Sequence, residues 1–171
     1  GAMADVYKAV DRRLTDGRQN TRLVAVKVLS PNVETHEYRD RLRSLFIEES
    51  FALSRVKDDN VVAVLDSGIT PGGTPYMVME FLSGQDLAQL LKTEKTLPID
   101  RAVDIILGIC AGVHACHLAG IVHRDLKPAN VFLDLTLKGE QPKVLDFSVA
   151  KIPVNGAQLE KDNTRTDLIV G

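Results

Sequence analysis

The octapeptide His123-Arg124-Asp125-Leu126-Lys127-Pro128-Ala129-Asn130 sets a carboxylate, an ammonium, a guanidinium and an amide side by side. Phosphoryl transfer to a hydroxyl needs those types: a carboxylate to orient the hydroxyl and take its proton, a cation near the transferring group, and oxygen ligands for magnesium. Asp125 can supply the first, Lys127 the second, and the Asn130 side-chain oxygen part of the third. Taken alone, the same residues could form a surface loop whose charges are merely solvated. The segment cannot be a core helix, because Pro128 blocks continuation and too many charges would be buried. Apolar runs at 119–122 and 131–133 flank it, so it reads as a polar loop between two short strands.

Three further side chains could serve that chemistry. Residues 23–29 alternate with period two, which puts Ala25 and Lys27 on one strand face and Val24, Val26 and Val28 on the other. Lys27 is then either an exposed edge residue or a cation reaching into a cleft. Residues 38–56 follow a helical period, with Leu42, Leu45, Phe46, Glu49, Leu53 and Val56 on one stripe. Glu49 is a carboxylate on an apolar face. Either its head reaches water at the rim or it needs a cation, and Lys27 is the simplest partner. Asp146 closes the run Pro142-Lys143-Val144-Leu145, where a strand-end carboxylate beside Asn130 could chelate magnesium.

Other elements must position these groups. Residues 60–66 and 75–82 read as two strands around the turn at 68–73, and Ser83-Gly84 marks a hinge. A short helix at 86–92 precedes a longer one at 98–118. Its stripe Ala102, Ile105, Ile106, Ile109, Val113 and Cys116 faces a core, and Gly120 can end it. His114 and His117 lie three apart on that helix, but no further metal ligands converge on them. Cys110 and Cys116 share it too and read as buried thiols in a reducing compartment.

The 171 residues suffice for one sizeable core or two small lobes sharing an interface. A net charge of −2 leaves no footprint for nucleic acid. No apolar run is long enough to span a bilayer, and no signal-peptide pattern opens the chain. The Gly1 start and the Val170-Gly171 stop suggest a piece of something longer, although a cleaved tag could also leave Gly1-Ala2-Met3.

In this order, Val24-Ala25-Val26-Lys27, Glu49, the octapeptide and Asp146-Phe147 resemble the protein kinases, and in detail the bacterial serine/threonine kinases of eukaryotic type. Lys127, two residues after Asp125, is what serine/threonine rather than tyrosine kinases usually carry. The resemblance covers the whole chain. It implies an α+β bilobal fold: a small lobe at 1–82 of five-strand type with one helix, lacking part of its first strand, then part of a mainly helical large lobe at 83–171. It implies ATP and Mg2+, with Asn130 and Asp146 as metal ligands and Asp125, Lys127, Lys27 and Glu49 as the catalytic set. Gly1, Val6, Ala25, Lys27, Met79, Glu80, Leu82 and Phe132 would surround the nucleotide. Met79 would stand at the back of the cleft, and backbone groups of Glu80 and Leu82 would meet the adenine edge. Gly1 fits the second glycine of a phosphate-binding loop and Ala4 replaces the third. Without a first glycine, that loop alone could be an ordinary hairpin.

The partner so implied is a protein substrate, and the compartment the cytoplasm, with a membrane sensor conceivable elsewhere in a parent protein. Thr164 and Thr166 would be phosphorylation sites of an activation loop, pairing with Arg124, unless the tail is a disordered terminus. Ser148 replaces the glycine of Asp-Phe-Gly. That departure, with the family's absent later helices, keeps open a nucleotide-binding pseudokinase; a non-catalytic interaction scaffold stays open as well, with no positive feature in the sequence to favour it. The isolated chain is expected to be marginally stable and to transfer little phosphate.

Overall fold

A computed structural model describes residues 4–12, 22–30 and 36–146. Strand β1 (Ala4–Asp11) pairs antiparallel with β2 (Arg22–Leu29), whose other edge takes β4 (Pro75–Glu80). β3 (Val64–Ile69) completes the sheet, in the order β1-β2-β4-β3. Opposed residues on neighbouring strands share a face. Lys27 lies opposite Val6 and Met77, and Ala25 opposite Lys8 and Met79, so all six face the same way.

Helix α1 (His36–Ser54) buries Leu42, Phe46 and Leu53 with Leu29, Met77 and Met79. The expected stripe is therefore the packed one. Ile47, Glu48 and Phe51 point outward. Ser50 is buried as well, and its hydroxyl donates to the Phe46 carbonyl at 2.8 Å, so the polar group is satisfied within the helix.

A second sheet, β5 (Gly84–Asp86), β6 (Val131–Thr136) and β7 (Gly139–Val144), packs with α2 (Leu87–Glu94) and α3 (Ile99–Leu118). Leu90, Ile105, Val131 and Leu133 form its core, and Ile109 touches both cores. Asp86 caps α2, its carboxylate accepting from the Gln89 N–H. At the end of α3 the N–H groups of Ala119, Gly120 and Ile121 return to carbonyls of the last turn, with Gly120 at φ +76°.

Several expectations need correction. Residues 119–122 form no strand; Ile121 instead folds back onto the Cys116 carbonyl. The strand expected from residue 60 starts at Val64, because the chain before it bonds elsewhere: the Val62 N–H meets the Val144 carbonyl, and the Asn60 carbonyl takes the Val144 N–H. The first sheet has four strands among the described residues, not five. Ile106 is exposed, since α3 turns its Ile105-Gly112-Cys116 line inward, and Cys110 is exposed for the same reason. Burial pushes the Cys116 thiol up to about 11, helped by the Asp58 charge.

The α1–β3 connection joins the two halves. Asn60 Nδ2 donates to the Pro142 carbonyl at 2.8 Å, and α3 comes so close that a Cβ on Gly112 would collide with the Asn60 carbonyl. Gly112→Ala should therefore lower the unfolding free energy by about 1–3 kcal/mol, whereas Gly72→Ala, which meets nothing nearer than 3.8 Å, should cost much less. Urea unfolding of the two variants checks this, and equal midpoints would contradict the contact.

Candidate active site

The octapeptide folds into a loop closed by a 3-10 turn at Pro128–Asn130, where proline suits the first position. Asp125 is its centre. Lys127 Nζ donates to Asp125 Oδ2 at 2.7 Å, while Asn130 Nδ2 donates to the same oxygen at 3.1 Å and to the Asp125 carbonyl at 2.8 Å. With its amide nitrogen so used, buried Asn130 keeps its side-chain oxygen for another partner. His123, also buried, accepts the Asp125 N–H on Nδ1 at 3.3 Å, so the ring proton sits on Nε2 and donates to the Leu145 carbonyl at 2.8 Å. Leu145 in turn donates its N–H to the Asn130 carbonyl at 2.8 Å, holding the loop beside Asp146. Arg124 and Asp146 adopt φ of 60° and 48°, a left-handed backbone uncommon for residues other than glycine.

The electrostatics follow from these contacts. The Lys127 hydrogen bond, more than any other contact, holds the Asp125 carboxyl below the usual aspartate range. Lys27 Nζ stands 3.2 Å from Glu49 Oε1 and 2.8 Å from Asp146 Oδ1. Burial alone would pull the Lys27 ammonium down, but the two carboxylates outweigh it and raise its pKa. Glu49 is pushed up, because burial outweighs Lys27 and the Asp146 charge adds repulsion. Lys27 therefore stays protonated, with two carboxylates sharing one cation.

The remaining sequence candidates fall around this centre. Val6 is exposed on the Lys27 face, Ala25 is half-buried there, and Met79 is buried behind it. Leu82 and Phe132 are half-buried at the hinge and on β6. The Glu80 N–H already donates to the Ala63 carbonyl at 3.0 Å, so only its backbone carbonyl could serve an adenine edge. Arg124 is exposed. Gly1, Phe147, Ser148, Thr164 and Thr166 lie outside the described residues. No group of three His, Cys, Asp or Glu side chains that could hold a metal occurs among the described residues. The available hard ligands are instead the oxygens of Asn130 and Asp146, which suit magnesium.

Sequence reasoning missed two contacts. Lys8 holds its ammonium 4.6 Å from the Phe81 ring centroid, tying β1 to the hinge. Lys143 pairs with Glu80 at 2.8 Å. The signal for the second was a lysine inside the apolar run that ends at Asp146.

Residues 1–167 match the model of the protein kinase domain. The chain belongs to the protein kinase domain family. It is 37% identical over 171 residues to the "Probable serine/threonine-protein kinase PknB" of Lactococcus lactis, covering all of this chain and 25% of that protein. The "Probable serine/threonine-protein kinase SCO3848" of Streptomyces coelicolor is 39% identical over 155 residues, covering 88% of this chain and 21% of its own length. The chain thus spans about a quarter or less of the curated relatives it matches. Among solved structures it is similar to Rad53 1-466 in complex with AMP-PNP, with a TM-score of 0.69 and 28% identity over 87% of this chain and 36% of that one. The kinase fold, with an antiparallel small-lobe sheet and one helix beside it among the described residues, is the architecture the resemblance implied.

In this kinase loop the Lys127–Asp125 contact gives a direct expectation. Lys127→Ala should raise the Asp125 pKa toward the ordinary aspartate value, measured by carboxyl carbon NMR titration; an unmoved midpoint would contradict it. The sign for stability follows. With its folded value depressed, Asp125 favours the fold above the ordinary aspartate range, and that contribution is lost as pH falls through the lowered value.

Proposed function

We propose that this chain carries the ATP-binding and catalytic centre of a serine/threonine protein kinase, with residues 1–82 as small lobe and 83–171 as part of the large lobe. The observation that carries this reading is Lys27 held between Glu49 and Asp146, with Asp125, Lys127 and Asn130 bonded into one cluster beside them. One cation anchored from a helix and flanked by a strand-end carboxylate suits the grip that phosphoryl transfer requires on a nucleotide.

In this reading Lys27 binds the ATP phosphates and Glu49 fixes its direction. Val6, Ala25, Met79 and Phe132 enclose the base, with the Glu80 carbonyl and the backbone of Leu82 at its edge and Gly1 near the phosphates. Asp125 orients the protein hydroxyl and accepts its proton as the oxygen bonds to the γ-phosphorus and the bond to ADP breaks. Lys127 holds Asp125 ionised and offers positive charge to the transferring group. Magnesium, held by Asn130 and Asp146, would neutralise phosphate charge. AMP-PNP in the Rad53 complex supports ATP as the nucleotide. The acceptor is a serine or threonine of a protein, and the cytoplasm, where ATP is available, is the proposed compartment. No described helix is long and apolar enough to cross a membrane.

Thr164 and Thr166 are proposed as phosphoacceptors that recruit Arg124. Mass spectrometry of active protein should find phosphate on at least one, and full activity with both bare would discard that role. The main test separates the two aspartates. Asp146→Asn should weaken magnesium-dependent ATP binding far more than Asp125→Asn, whereas both should abolish transfer. Equal losses of binding would refute the assignment.

A further inference from the structure

β1 lies at the edge of its sheet: in the order β1-β2-β4-β3 it bonds, among the described strands, to β2 alone. It carries Val6, opposite Lys27, as the outer part of the roof over the proposed base site. A strand held by one neighbour can open locally at modest cost, and Val6 would leave the base with it.

Lys8 supplies a second attachment. It stands opposite Ala25, which stands opposite Met79, so it shares the sheet face of Lys27. Its ammonium reaches across β2 to within 4.6 Å of the centroid of the Phe81 ring, a distance that suits a cation–π contact. Phe81 is half-buried in the connection from β4 to β5, between Glu80 and Leu82, whose backbone groups are assigned above to the adenine edge. No carboxylate among the described residues pairs with Lys8, so the ring is the contact that directs its ammonium. The two lysines of this face therefore differ in setting. Lys27 is enclosed between carboxylates inside the cleft, whereas Lys8 is exposed and lies against an aromatic ring at its mouth.

We infer that Lys8 is a positioning residue for the nucleotide: its contact with Phe81 clasps β1 to the hinge and so holds Val6 down on the base. The consequence for nucleotide rests on the function proposed above, whereas the contact itself can be read without nucleotide. The clasp meets neither the phosphates nor the acceptor hydroxyl. It acts on how tightly nucleotide is held and leaves the transfer step alone. A cation–π pair at an exposed site changes an equilibrium constant by about 2- to 5-fold, which sets the size of the effect.

In the full-length protein, Lys8→Met keeps the apolar stem and removes the charge, and Phe81→Leu keeps an apolar side chain and removes the ring. Without nucleotide, NMR should find the Lys8 ε-methylene protons shifted upfield by the ring in the wild type and at the ordinary lysine position in Phe81→Leu. An ordinary position in the wild type would overturn the inference at its root. With ADP, titration calorimetry should give a Kd raised about 2- to 5-fold by either substitution and no further by the two combined. Single-turnover transfer at saturating ATP should be unchanged. Lys8→Arg, which keeps a cation for the ring, should restore the wild-type Kd. Unchanged ADP affinity in Lys8→Met would overturn the inference, as would fully additive losses in the double variant or a saturated transfer rate that falls with binding. Failure of the wild-type protein to bind ADP would sink the proposed function, and the role of the clasp in holding nucleotide with it.

Discussion

A lysine ammonium withdrawn from water stays charged only where carboxylates face it, and Lys27 meets that condition twice, through Glu49 and Asp146. Much of the structure can be understood as the means of bringing those three residues together. They come from a central strand, the packed face of a helix and the segment just beyond the last strand of the second sheet. The strand places Lys27 on the same face as Met77 and Met79, and burial of Leu42, Phe46 and Leu53 sets the rotation of α1 that turns Glu49 inward. Asp146 arrives from the other lobe, steered by the left-handed turn at its own backbone and by the Leu145 contacts to His123 and Asn130.

A triad spanning both lobes requires the lobes to keep their relative position. The α1–β3 connection serves that end, because it leaves the small-lobe helix and bonds directly to β7. Gly112 lets α3 abut the Asn60 carbonyl, so the connection is held between helix and strand. Lys143 of β7 also pairs with Glu80 at the end of β4. Lobe geometry and charge placement are thus a single problem. Moving α1 outward would separate Lys27 from Glu49, so the ion pair depends on the packing of that helix.

The parts legible in the sequence were those governed by short-range rules. Period-two alternation located Lys27, period-3.6 burial singled out Glu49 as the odd carboxylate, and Pro128 with its charged neighbours marked a loop. The protein kinase resemblance supplied the architecture. What escaped depended on partners distant along the chain. Residues 60–63 have strand-like side chains, but their backbone bonds to β7 removed them from the sheet. Ile106 and Cys110 sit on a helix apolar on several sides, where period alone cannot choose the buried face. The Glu80–Lys143 pair joins residues 63 positions apart, and only a lysine within an apolar run hinted at it.

The central claim is that Lys27, aimed by Glu49 and Asp146, grips the nucleotide for transfer. The most direct measurement is the single-turnover rate of phosphate transfer from ATP by Lys27→Met in the full-length protein, with folding checked by circular dichroism. The account predicts a folded variant whose transfer rate falls at least ~100-fold, the scale on which loss of one preorganised charge acts in a transition state. A folded Lys27→Met protein transferring phosphate at the wild-type rate would contradict it.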